Sequence, residues 1–168
     1  NRETTSIVCP NFSSGEDDFD RNIGSSLVSF VDCDVSVSMQ NFSIKGLESD
    51  GCYAEDGGGM YLQNSNPILK NLLIEHNYAI YGGGMYLAQS NPYMENLNIH
   101  ANESSKGGGI YLYDSTPTIK DVQISHNTAS SNGLGFGGGI YVWNSDFVVM
   151  QRVLLSDNFS DYQGGGIH

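Results

Sequence analysis

The sequence predicts an all-β solenoid, a right-handed parallel β-helix of about five rungs over residues 27–168, behind an N-terminal cap over residues 1–26. Three observations predict it. Gly-Gly-Gly recurs at 57, 82, 107, 137 and 164, at intervals of 25, 25, 30 and 27 residues. The segments between are themselves repeated: GGGMYLQNSNPILKNLLIEHN, GGGMYLAQSNPYMENLNIHAN, GGGIYLYDSTPTIKDVQISHN and GGGIYVWNSDFVVMQRVLLSDN. No segment keeps an i, i+3, i+4, i+7 apolar pattern beyond one turn, so nothing in the repeat reads as a helix.

Each element follows from the repeat. Met60-Tyr61-Leu62 alternates apolar and aromatic residues with the period of two of a strand. Leu69, Leu72 and Ile74 mark a second apolar stretch that ends at Asn77. Gly-Gly-Gly, Asn-Ser-Asn-Pro and Asn-Tyr-Ala read as turns between them. A coil of about 25 residues cannot bury its own apolar face, whereas coils stacked at the ~4.8 Å strand spacing bury a continuous column. The columns are Met60, Met85, Ile110, Ile140, Ile167; Leu62, Leu87, Leu112, Val142; Leu72, Leu97, Val122, Val153; and Ile74, Ile99, Ile124, Leu155. Asn77, Asn102, Asn127 and Asn158 form a polar column suited to an inward amide ladder. Lys70, Glu95 and Lys120 alternate in sign down one column, which favours this register over a slipped one. A degenerate copy aligns over residues 27–56, with Met39, Phe42 and Ile44 where Leu69, Leu72 and Ile74 fall later. The ten residues from Asn127 to Phe136 replace five from Asn77 to Tyr81, an insertion on one side of the solenoid.

Leu69-x-x-Leu72-x-Ile74-x-x-Asn77 also matches a leucine-rich-repeat core. That fold needs a helix or similar convex segment in its other half. Here the other half is tri-Gly, an alternating strand and Ser-x-Pro, so the β-helix is preferred.

Composition narrows the function. Seven Lys+Arg against 19 Asp+Glu give a net charge of -12, which argues against nucleic-acid backbones and anionic membrane surfaces as partners. No apolar run approaches the ~20 residues of a membrane span. The chain begins at Asn1 with no visible signal peptide, and it reads as a mature product or a fragment.

The Gly-Gly-Gly-Met/Ile starts and the Ile-Glu-His-Asn, Ile-His-Ala-Asn, Ile-Ser-His-Asn and Leu-Ser-Asp-Asn ends resemble the paired Gly-Gly-Ala-Ile and Phe-x-x-Asn motifs of polymorphic outer membrane protein repeats. The Ser-x-Pro segments between them are similar to the parallel β-helix repeats of many secreted bacterial surface proteins. The resemblance covers about 140 of 168 residues. It departs in Gly for Ala and in Ile or Leu for Phe. It implies an extracellular, cell-surface adhesin or autotransporter-passenger role and does not imply a catalytic residue; no metal or cofactor is expected. Its partners would be a glycan or a host or cell-surface protein.

β-Helices also include polysaccharide lyases and glycoside hydrolases, which need clustered carboxylates, or calcium-binding Asp with Arg or Lys, on one outward face. The outward acids here, Glu95, Asp114 and Asp146, are scattered, so a carbohydrate-active enzyme or glycan-binding module is the second reading. His76 and His126 share a repeat position but lie two rungs apart with Ala101 between, ~9.6 Å and too far for one metal. Glu16-Asp17-Asp18-Phe19-Asp20 and Glu55-Asp56 read as solvated acidic loops.

The candidate contact surface is aromatic. Tyr61, Tyr86, Tyr111 and Tyr141 alternate with inward residues and therefore point outward. With Tyr113 and Trp143 two positions on, Tyr111 and Tyr141 are expected to form an exposed patch edged by Asp114, or else a stack that stiffens the face. Cys9, Cys33 and Cys52 lie ahead of the regular repeats, where one disulfide among them would hold the cap. Asn-x-Ser sequons start at Asn11, Asn41, Asn102 and Asn158, a number near chance for this composition. The chain stops one strand into a new rung, at Gly164-Gly165-Gly166-Ile167-His168. Either further repeats follow, or the β-prone Thr4–Cys9 stretch of another copy covers that end and gives head-to-tail filaments.

Overall fold

The computed structural model describes residues 5–8, 26–33, 37–46 and 53–168. It is a parallel β-helix of about five rungs, with no helix among the described residues. Four sheets run along its length. The first holds Val28–Val31, Met60–Gln63, Met85–Ala88, Ile110–Tyr113 and Ile140–Trp143. The second holds Ser38–Gln40, Ile68–Lys70, Tyr93–Glu95, Thr118–Lys120 and Val149–Gln151. The third holds Thr5–Val8, Phe42–Lys45, Leu73–Glu75, Asn98–His100, Gln123–Ser125 and Leu154–Ser156. The fourth holds Tyr53–Asp56, Tyr78–Tyr81, Glu103–Ser104, Thr128–Ala129 and Phe159–Ser160.

Every pairing is parallel and keeps repeat positions in register: Met85 opposite Met60 and Ile110, Ile99 opposite Ile74 and Ile124. The expected columns form the core except at Ile167, which is exposed, and Met60, Leu62, Ile74, Ile110, Leu112 and Ile124 are fully buried. A further apolar column, Met39, Leu69, Met94, Ile119 and Met150, closes the second sheet's inner face. The degenerate copy holds as aligned, with Met39 opposite Leu69 and Ile44 opposite Ile74.

The fourth sheet differs from expectation. Asn-Tyr-Ala is not a turn: Tyr78–Tyr81 is a strand. Its inward column is Ala54, Ala79, Ser104 and Ala129, all buried and all small. Small inward residues give a strand without an apolar signature.

Two polar ladders replace the hydrogen bonds that corners leave open. Asn77 Nδ2 donates to Asn102 Oδ1 at 2.9 Å, Asn102 Nδ2 to Asn127 Oδ1 at 3.0 Å, and Asn127 Nδ2 to Asn158 Oδ1 at 3.0 Å. Each of these oxygens also accepts the backbone N–H of the preceding Asn, at 3.0 Å. The second ladder lies in segments that the sequence presents only as turn punctuation. Ser65 N–H donates to Ser90 Oγ and Ser90 N–H to Ser115 Oγ, both at 3.0 Å, and Ser115 N–H to Ser145 Oγ at 2.9 Å.

The tri-Gly has a steric cause. Gly107 turns the chain with φ +66, a conformation that disfavours a Cβ. A Cβ on Gly108 would stand 2.5 Å from both Gly138 O and Thr128 O, backbone of the next coil and of the same coil. The other corners are set by αL residues: Asn71, Asn96, Asp121 and Arg152 in one column, and His76, Ala101, His126 and Asp157 in another. Asn and Asp tolerate this region better than most residues, which accounts for their abundance at corners.

At the N-terminal edge, Thr5–Val8 pairs in parallel with Phe42–Lys45 of its own chain. The strand expected to cover another copy thus lies on its own third sheet.

Candidate functional site

The first sheet carries the aromatic ridge. Tyr61, Tyr86, Tyr111 and Tyr141 stand on consecutive strands, and their ring centres are 5.6, 5.0 and 4.9 Å apart. Beside them runs a second outward column, in which Tyr81, Lys106, Phe136 and Gln163 pair in sequence. The three glycines between the columns carry no side chains to hold them apart. Tyr81 packs on Tyr111 at 5.6 Å and Phe136 on Tyr141 at 6.1 Å. Lys106 Nζ sits 5.8 Å from the Tyr81 ring centre and 5.7 Å from those of Phe136 and Tyr141, a cation–π contact with three rings.

This cover separates the candidate contact residues into two groups. Tyr141 is only 4% exposed and Tyr111 is half-buried, so both belong to the packed ridge. Burial pushes the Tyr111 phenol up to about 12, with Tyr141 adding to it, and burial raises Tyr86 too, with Asp56 second. The ridge therefore stays neutral at physiological pH. Tyr113 and Trp143 are 37% and 54% exposed. They end the column Gln63, Ala88, Tyr113, Trp143, and Trp143 stacks on Tyr141 at 6.3 Å with planes 12° apart. Asp114, also exposed, accepts a 2.6 Å hydrogen bond from Asn144 Nδ2 at the same edge. The result is an open edge of Tyr113, Trp143 and Asp114 on a packed base.

Asp56 is not the solvated loop acid of the sequence reading. It ends the strand Tyr53–Asp56, half-buried, and burial and then Glu55 raise its carboxyl from 3.8 to about 6. A folded pKa above the unfolded one means that the fold holds the proton more tightly. That contribution is complete below about 3.8 and is lost as pH rises through about 6. Asp56→Asn should therefore melt increasingly above the parent as pH rises from 4 to 7, with the two curves meeting at the acid end. Melting curves that stay parallel across that range would contradict the burial of Asp56.

The opposite face, on the second and third sheets, is charged. Glu95 lies between Lys120 and Lys70, at 2.5 and 2.8 Å, and their hydrogen bonds hold its carboxyl at about 2, Lys120 contributing most. Arg152 binds Asp121 through both Nε and Nη2, which keeps the Asp121 carboxyl below its ordinary range. A shallow groove between these sheets is lined by Asn96, Asn98, Asp121, Gln123 and Arg152. Asn41, Asn71 and Asn96 form an external amide ladder along it, with bonds of 3.0 and 2.8 Å. The outward acids at this groove are thus engaged by bases.

Sequence alignment missed one cluster. His100 sits one position before the His76/His126 column, yet its ring lies between theirs, with centres 6.1 and 5.0 Å apart. Among the described residues, no group of three or more His, Cys, Asp or Glu could hold a metal ion.

Cys33 is a free, half-buried thiol whose Sγ lies 3.4 Å from Val31 O, so it forms no part of the expected disulfide. Cys9 and Cys52 lie outside the described residues, as do Asn11 and Glu16–Asp20. Of the remaining sequons, Asn102 is buried within the amide ladder and Asn158 is engaged in it, whereas Asn41 is exposed.

The comparisons bear on the fold. Residues 19–160 match the family model described as right handed beta helix region. Curated proteins and solved structures contribute no match. The match spans well over half of the chain, and the in-register parallel coils agree with it: the chain belongs to the right-handed β-helix family.

Proposed function

We propose that this β-helix is an extracellular adhesive module, a rigid rod that presents the Tyr113–Trp143 edge to a glycan or surface protein. One observation carries the reading. Within a single column the side chains pass from buried Ala88 to open Tyr113 and Trp143, while the neighbouring Tyr column is packed tight beneath them. Exposed aromatic rings cost free energy in water, and a stiff base holds them ready for contact at little entropic cost. Asp114 at the rim supplies a hydrogen-bond acceptor.

The test is binding of the parent chain and its variants to glycan arrays and to immobilised cell-surface proteins. Trp143→Ala should weaken binding by tenfold or more, with a melting temperature close to the parent's, because Trp143 ends its outward column and is more than half exposed. Equal binding by parent and variant would remove this edge from the function. Release of reducing ends from a polysaccharide substrate would replace it with the carbohydrate-active reading.

Self-association is a second proposal, favoured by a separate feature. Thr5–Val8 and Leu154–Ser156 are the two edge strands of the six-stranded third sheet. A second copy in parallel register would join one edge to the other, and this contact propagates rather than closes. Sedimentation that shows mass rising with concentration would support it, and a monomer at all concentrations would refute it.

A further inference from the structure

The insertion that lengthens one coil carries an inference separate from adhesion. Asn127 to Phe136 spans ten residues where Asn102 to Lys106 spans five. Within it, Asn132-Gly133 makes a tight turn. Asn132 takes φ +49 and Gly133 φ +81, and Leu134 N–H donates to Ser131 O at 2.9 Å. Positive φ at both central residues is the type I′ turn that Asn-Gly favours. Of the 16 Asn in the chain, Asn132 is the one followed by Gly.

Asp161, on the next coil, holds this turn. Its Oδ2 accepts Gly133 N–H at 2.9 Å, Ser131 N–H at 3.0 Å and the Ser130 hydroxyl at 3.0 Å, and its Oδ1 accepts Gly135 N–H. Three of the four donors are backbone groups, so one carboxylate fixes the path of the loop.

An Asn-Gly pair can modify itself, because glycine has no side chain to hinder its own nitrogen. The Gly133 nitrogen attacks Asn132 Cγ. The N–Cγ bond forms, the Cγ–Nδ2 bond breaks, and the Gly133 N–H proton leaves with Nδ2 as ammonia. Water then opens the cyclic imide at either carbonyl, giving aspartate or isoaspartate. No oxidant, reductant or enzyme is needed. Asn132 and Gly133 are exposed, and nothing lies within 4 Å of where Gly133 would carry a Cβ, so water and hydroxide reach the turn.

Asp161 opposes the first step. The attacking nitrogen must shed its proton, and here that N–H is engaged by a carboxylate. A negative charge beside it makes an anionic nitrogen harder to form. Asp161 is also a poor base, since the Gly133 N–H, ahead of the other donors, keeps its carboxyl below the ordinary range.

We propose that Asn132-Gly133 is a self-modification site whose rate is set by Asp161 of the next coil: slow while the two coils stay stacked, fast once that carboxylate is withdrawn. The product carries a new carboxylate beside Asp161, or an extra backbone methylene in the turn, and so records irreversibly that the coils have parted.

The test incubates the whole chain at mildly alkaline pH and follows each Asn by peptide mapping, with aspartate and isoaspartate separated by chromatography before mass spectrometry. Conversion should come first at Asn132, and about tenfold or more slowly in the folded parent than in the same chain unfolded in guanidinium chloride. Asp161→Ala should convert about tenfold or more faster than the folded parent, the equivalent of one lost charge-assisted hydrogen bond. Asp161→Asn keeps the shape and one acceptor oxygen without the charge, and it should convert faster than the parent while melting with it. A folded parent that converts as fast as the unfolded chain, earliest conversion at another Asn, or an Asp161→Asn chain that melts with the parent and converts no faster would overturn the assignment.

Discussion

Ile124→Asp is expected to destabilise the protein by about 4 kcal/mol or more, enough to unfold many domains of this size. Ile124 is fully buried, with Ile99 and Leu155 as its parallel neighbours on the adjoining coils. The inward face at that position offers apolar contacts above and below, so a carboxyl there would lie against apolar side chains. Ile124→Val and Ile124→Ala provide a graded series on the same site, at roughly 0.5–1.5 and 2–5 kcal/mol. The series is read by urea or thermal unfolding. An Ile124→Asp chain that melts with the parent would place this column outside the core.

Asn102→Ala should cost about 3–5 kcal/mol, far more than a polar-to-apolar change at a surface, which rarely exceeds ~0.5 kcal/mol. Asn102 Oδ1 accepts from both Asn77 N–H and Asn77 Nδ2, at 3.0 and 2.9 Å, and Asn102 Nδ2 donates to Ile74 O and to Asn127 Oδ1, both at 3.0 Å. Asn77, Asn102 and Asn127 are all buried. Removing the amide leaves two Asn77 donors, the Ile74 carbonyl and the Asn127 amide oxygen without this partner. Asn41→Ala is the matched control, since Asn41 also bonds a ladder neighbour, Asn71, but stands exposed. Equal losses at Asn41 and Asn102 would contradict the inward ladder.

These two sites were legible in the sequence because the same side chain returns at the same repeat position. A column of Ile or Asn stands out against its neighbours. The fourth sheet was not legible, because its inward residues are Ala and Ser, whose small size suits a tight corner but leaves no apolar pattern. The Ser65–Ser90–Ser115 ladder was hidden for a related reason, since Ser before a turn reads as punctuation whether or not its hydroxyl is buried.

The aromatic site was half legible. Alternation correctly turned Tyr111 and Tyr141 outward, but it says nothing of what lies over them. The cover comes from Tyr81, Lys106 and Phe136, one corner earlier in the coil, which share no alternation with the Tyr column. His100's place between His76 and His126 was not legible because alignment compares positions, whereas an αL corner moves a ring sideways into the next column. His100 therefore fills the space that Ala101 seemed to leave empty.

Every reading above depends on the coils stacking in register, and that claim has a direct test. Ser38 and Val149 begin the first and last strands of the second sheet, with Ile68, Tyr93 and Thr118 on the strands between. Spin labels placed at both positions, in a chain whose three native cysteines are replaced by Ser, report their separation by double electron–electron resonance. Four strand spacings predict a single narrow distribution near 19 Å between the backbones, broadened by a few Å for the label arms. A broad distribution, or one centred many ångströms beyond that value, would contradict the in-register stack.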